Sequence, residues 1–66
     1  MRFWRYEYEV RIPDKDLPEG NRTLYVVRSH RWYFTQRRAT LAMHRDILIF
    51  AHSPNLYTCN ERVIPA

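Results

Sequence analysis

The side chains able to do chemistry in this 66-residue chain are three histidines (His30, His44 and His52), one cysteine (Cys59), the acidic pair Glu7 and Glu9, and ten arginines. The histidines do not form a metal motif. His44 and His52 are eight positions apart in the sequence, which is about two helical turns or ~12 Å, too far to share one ion. No second cysteine is present to complete a zinc set. Cys59 falls on the apolar side of its segment, with no histidine in that segment to activate it, so it reads as a buried inert thiol rather than a nucleophile. Glu7 and Glu9 could serve as acid and base only inside a cleft that drives their proton affinities apart. Flanked by Arg5 and Arg11, they read instead as cross-strand charge partners. Gly20 is the single glycine, which excludes a glycine-rich phosphate loop. No catalytic set, metal or cofactor is expected, and the chain is read as a non-enzyme.

The arginines carry more information. The formal net charge is +4, and ten of the eleven cations are arginine. Residues 21–45 hold Arg22, Arg28, Arg31, Arg37, Arg38 and Arg45 with no acid, whereas the segments on either side each sum to −1. A guanidinium presents a planar donor fork that matches carboxylate or phosphate, so this composition points to an anionic partner surface.

Three alternating segments and one helical stripe must position these side chains. Trp4, Tyr6, Tyr8, Val10 and Ile12 alternate with Arg5, Glu7, Glu9 and Arg11, the period of a half-buried strand over residues 2–12. Residues 13–21 combine prolines, Gly20 and short polar residues and predict a hairpin connection. Thr23 to Arg28, rich in β-branched and aromatic residues, predicts the returning strand. From Thr35 the period changes: Ala39, Met43, Ile47 and Phe50 share one stripe bordered by Ala42 and Ala51, which predicts an amphipathic helix to about Ala51. Thr35 is the preferred N-cap, with Ser29 as an alternative that brings Trp32 onto the stripe, and Ser53-Pro54-Asn55 is the stop. Ile47 to Phe50 could instead be a strand, giving β-β-α-β-β. Leu56 to Ile64 predicts an edge strand with Tyr57, Cys59 and Val63 on one side. The fold expected is α+β, a three-stranded antiparallel sheet packed on one helix in the order β-β-α-β. The helix is expected to cover the face made by Trp4, Tyr6, Tyr8, Val10, Tyr57, Cys59 and Val63.

The whole chain, residues 1–66, is read as one small domain. The lone cysteine and a charged N-terminal segment fit a cytoplasmic protein. The longest apolar run, Ile47 to Ala51, is too short to span a bilayer.

On the helix, the same angular count sets Arg37, Arg38, Leu41, His44, Arg45, Leu48 and His52 opposite the apolar stripe. Leucines ringed by cations form a docking pattern. The candidate partner-binding residues are therefore Arg28, Arg31, Arg37, Arg38, Leu41, His44, Arg45 and Leu48. Trp32, Tyr33 and Phe34 beside Arg28 and Arg31 admit base stacking, although aromatics at a strand end are more often core.

The element order, the length and the Phe3-Trp4 pair at the start of the first strand resemble the small early proteins by which some bacteriophages inhibit host RNA polymerase. The resemblance covers layout across most of the chain. It implies a compact non-enzymatic protein that occludes a surface of a host nucleic-acid machine and so regulates transcription during host takeover. Those inhibitors are acidic whereas this chain is basic, and no functional residue is carried over from them. The expected partner is an acidic protein surface belonging to a nucleic-acid or defence machine. RNA or DNA bound directly by the arginine-rich middle third is the alternative, a homodimer through the leucines or an edge strand is a third reading, and no membrane partner is expected.

Overall fold

The computed structural model describes residues 3–65. Strand β1 (Trp4–Pro13) is central, with β2 (Asn21–Arg28) and β3 (Tyr57–Pro65) antiparallel on its two sides in the order β2-β1-β3. The predicted opening of β1 at Arg2 lies outside the described residues. A tight connection joins β1 to β2. Asp14 N–H donates to the Gly20 carbonyl at 2.9 Å, and the Asp14 carboxylate accepts from Asp16 N–H at 3.0 Å. Gly20 takes φ 77°, a left-handed conformation that a residue without Cβ adopts freely.

Strands β2 and β3 run in the same direction on either side of β1, so the chain between them must cross the sheet. Helix α1 (Gln36–Ile47) makes that crossing and tightens into a 3-10 turn at Leu48–Phe50. Thr35 is the cap: its Oγ1 accepts from Arg38 N–H at 3.1 Å, satisfying a donor that the first turn leaves free. The Ser29 hydroxyl is used elsewhere, accepting from Tyr6 N–H at 3.2 Å and donating to the Arg31 carbonyl at 3.0 Å. Ile47 to Phe50 is helical, which rules out the five-element alternative. The element order is β-β-α-β, as expected.

The core lies between α1 and one face of the sheet. Tyr6, Tyr8 and Val10 from β1 meet Met43, with Val27, Tyr33, Ala42, Ile47, Phe50, Leu56 and Val63 packed around them. Ala39 is also fully enclosed. Burying side chains of this size contributes about 1.5–3 kcal/mol each, so a few of them decide whether so short a chain folds. Tyr8 and Tyr25 both set their rings against Phe50, at centroid distances of 6.2 and 6.5 Å.

One part of the predicted face is corrected. Tyr57 and Cys59 do not join Val63 under the helix; they pair with Arg11 and Glu9 and so belong to the face that α1 leaves uncovered. The cause is a bulge. Glu7 pairs with Arg62 but Glu9 pairs with Cys59, so β3 uses three steps where β1 uses two, and one extra residue reverses the parity of everything before it. Asn60 absorbs the bend at φ 54°, a conformation asparagine tolerates better than most residues. Thr58 takes the inward place opposite Val10.

Candidate functional site

The outer surface of α1 is the surface the sequence pointed to. Arg37, Arg38, Leu41, His44, Arg45, Leu48 and His52 are all exposed. Leu41 is 55% and Leu48 62% exposed, and Ile49, which the sequence reading did not single out, is 65% exposed. A shallow groove lined by Tyr33, Arg38, Leu41, Ala42 and Arg45 lies beside Leu41. A smaller apolar recess formed by Ile47, Leu48, Phe50, Ala51 and Thr58 lies at the other end of the helix. Arg31, Arg37, Arg38 and Arg45 form no ion pair among the described residues. Their charge is therefore not neutralised within the described chain. Arg45 lies in the last helical turn, where a cation complements the carbonyl end of the helix dipole. Arg37 and Arg38 lie in the first turn, which holds no acid, and there a cation opposes the dipole.

Two candidate residues stand apart from this surface. Arg31 is exposed in the connection between β2 and α1. Arg28 lies on the uncovered sheet face and is tied to Glu7, its Nε donating to Oε1 at 3.1 Å. Across the sheet Arg62 donates to Glu7 Oε2 from Nε at 2.9 Å and from Nη2 at 2.5 Å. Glu7 thus sits between two guanidiniums from the two neighbouring strands and is itself buried. The hydrogen bond from Arg62 is the main cause holding its carboxyl below the usual range; the charges of Arg62 and Arg28 act the same way, while burial opposes them. Glu9 accepts from Thr23 at 2.9 Å and from the Asn60 amide, and these bonds depress its proton affinity as well. The expected cross-strand charge pairing is found for Glu7, with Arg28 and Arg62 as its partners, whereas Glu9 is held across the sheet by the neutral Thr23 and Asn60.

On the covered side, Asp46 was not recognised from the sequence. Its Oδ2 accepts from the Tyr8 hydroxyl at 2.8 Å and the Tyr6 hydroxyl at 3.2 Å. Burial, reinforced by the adjacent carboxylate, pushes Tyr6 up to about 12 and raises Tyr8 further. Both phenols stay protonated as donors at neutral pH, so the trio fastens the helix to β1 and supplies no nucleophile. The available signal was an acid one position before the apolar stripe residue Ile47, which alone does not specify a partner.

The aromatic run before the helix divides. Tyr33 turns inward with its ring 6.2 Å from Tyr6, and its backbone exchanges two hydrogen bonds of 2.8 Å with Trp4. Its neighbours Trp32 and Phe34 are 59% and 61% exposed and both rest on Phe3, at centroid distances of 6.2 and 5.4 Å. In extended backbone successive side chains alternate in direction, so fixing Tyr33 inward sends the other two outward.

No protein-family model matches the chain, and no curated protein or solved structure matches it either. Among the described residues no helix is long and apolar enough to cross a membrane.

Proposed function

We propose that this is a small basic binding protein without catalytic activity, which docks through the outer surface of α1 onto an acidic surface of a component of a nucleic-acid or defence machine and occludes it, as a phage-type regulator does. The observation that carries this reading is the exposure of Leu41 and Leu48 among Arg37, Arg38 and Arg45, which form no ion pair among the described residues. Leucines this exposed contribute little to the fold, yet each can contribute about 1–2 kcal/mol when a partner removes the rest of it from water. Arginines around such anchors direct the approach of an acidic surface and accelerate association. His44, exposed on the same surface, lies within the proposed footprint; Arg31 extends it towards the β2–α1 connection.

The test is capture of partners from the source cell on the immobilised protein, with and without nuclease, beside a variant carrying Leu41→Ser and Leu48→Ser. A partner retained after nuclease treatment and lost with the double variant is the expected result. Disappearance of every captured species on nuclease treatment refutes the reading.

A further inference from the structure

We propose that Phe3, Trp32 and Phe34 form a stacking platform for single-stranded nucleic acid, with Arg31, Arg37 and Arg38 placed to meet its phosphates. This site shares Arg31, Arg37 and Arg38 with the docking surface but depends on the three rings rather than on Leu41 and Leu48. Three observations carry the inference.

The first is that the rings are exposed yet held. Trp32 and Phe34 are 59% and 61% exposed, a costly arrangement for two large aromatics in a chain with so little core. They are not loose loop residues. Tyr33 between them is bonded on both backbone groups to Trp4, and Ser29 at the start of the connection bonds Tyr6 through its N–H at 3.0 Å and through its hydroxyl. Phe3 supports both rings from beneath, edge-on to Trp32 at 86° and tilted at 46° to Phe34. Rings preorganised in this way accept a flat partner with little further loss of side-chain freedom.

The second observation is the charge. From residue 21 to residue 45 the chain contains six arginines and no acid. Arg22 pairs with Asp14 and Arg28 with Glu7. The cations that flank the rings in the sequence, Arg31 before Trp32 and Arg37 and Arg38 after Phe34, form no ion pair among the described residues. Arg37 and Arg38 also oppose the helix dipole in a turn where acids are favoured, so they lower helix stability slightly. An anionic ligand removes that repulsion.

The third is the combination of flat rings with guanidiniums. Bases stack on aromatic faces and their phosphates pair with arginine, whereas an acidic protein surface uses the guanidiniums but not the ring faces. A duplex keeps its bases stacked on each other and offers the rings only its ends, so the site selects unpaired strands.

The test is fluorescence anisotropy with a labelled oligothymidylate of about ten nucleotides, compared with a duplex of equal length and with polyglutamate as competitor. The single strand is expected to bind more tightly than the duplex and to resist polyglutamate. Trp32→Ala and Phe34→Ala should each weaken it about tenfold, the scale of one lost base stack, while Trp32→Phe retains most of the affinity. Three phosphate contacts predict a log-log salt slope near −2. Melting curves of the alanine variants matching the parent show that the rings are not structural. The Leu41→Ser, Leu48→Ser variant should bind the oligonucleotide like the parent, so this site and the docking surface can fail independently. Unchanged affinity after removal of both rings, equal or tighter duplex binding, or full displacement by polyglutamate overturns the proposal; the last result assigns these arginines to an acidic protein instead.

Discussion

Replacing Glu7 by glutamine tests the ion cluster that joins all three strands. The substitution keeps the shape and removes the charge. The parent carboxylate, whose side chain is 7% exposed, accepts three hydrogen bonds from two guanidiniums that are themselves 67% and 55% exposed. Bonds to charged groups contribute about 1.5–3 kcal/mol each when the partners are buried. Here both arginines can recover water once the charge is gone, so the total is discounted to about 2 kcal/mol. For a domain of this size that lowers the melting temperature by about 8–16 °C. The pH dependence identifies the cause. Glu7 takes up its proton at lower pH in the folded chain than in the unfolded one. Its contribution is therefore complete above the unfolded glutamate value of about 4.3 and is lost as pH falls through the lower folded value. Thermal melts of parent and variant followed by circular dichroism should differ at pH 7 and converge in acid. A gap smaller than about 2 °C at pH 7, or one that persists undiminished to pH ~3, refutes the reasoning.

Further perturbations address the remaining elements. Asp46→Ala leaves the Tyr6 and Tyr8 hydroxyls without their acceptor and should destabilise the fold by about 2–3 kcal/mol in denaturant titrations. The raised phenol values also predict that the parent loses stability as pH rises from about 10 towards 12, and melts of Tyr6→Phe and Tyr8→Phe chains should show a smaller alkaline loss. Thr35→Ala removes the helix cap and should cost about 1 kcal/mol, measured as a shift in denaturant midpoint with little change in slope. Asn60→Val forces a β-branched residue into the left-handed bend and removes the amide bond to Glu9; a loss of about 1–2 kcal/mol is expected in the same assay.

The parts of the fold visible in the sequence are those built from repeated local spacing. β1 shows its period of two over five apolar positions, and α1 with its 3-10 extension shows its stripe from Ala39 to Phe50, because each periodicity is long enough to outweigh a single exception. Asn60 is such an exception. Its positive φ is one backbone choice in an otherwise extended run, yet it moves Cys59 and Tyr57 to the opposite face. Arg28 was placed with the docking cations because segment charge records sign and order but not register; only the alignment of β2, β1 and β3 brings it to Glu7. The same limit applies to Asp46, whose two tyrosine partners lie about forty positions away in the chain. The exposure of Trp32 and Phe34 follows from one fact the sequence does not contain, the pairing of Tyr33 with Trp4. The outward position of Arg37, Arg38, Leu41, Arg45 and Leu48 needed only the helical repeat.

The position of β1 affects how the molecule assembles. Its N-terminal end is matched with the end of β3, Trp4 opposite Pro65, so closing the sheet brings together residues about sixty positions apart. Such closure is slow relative to formation of a helix or hairpin. The hairpin of β1 and β2 precedes β3 in the chain, so during synthesis its aromatic row of Trp4, Tyr6 and Tyr8 stays unsheltered until the helix and the third strand have been made. Nascent molecules therefore pass through an interval in which one side of the future central strand is an unpaired edge, open to any extended peptide.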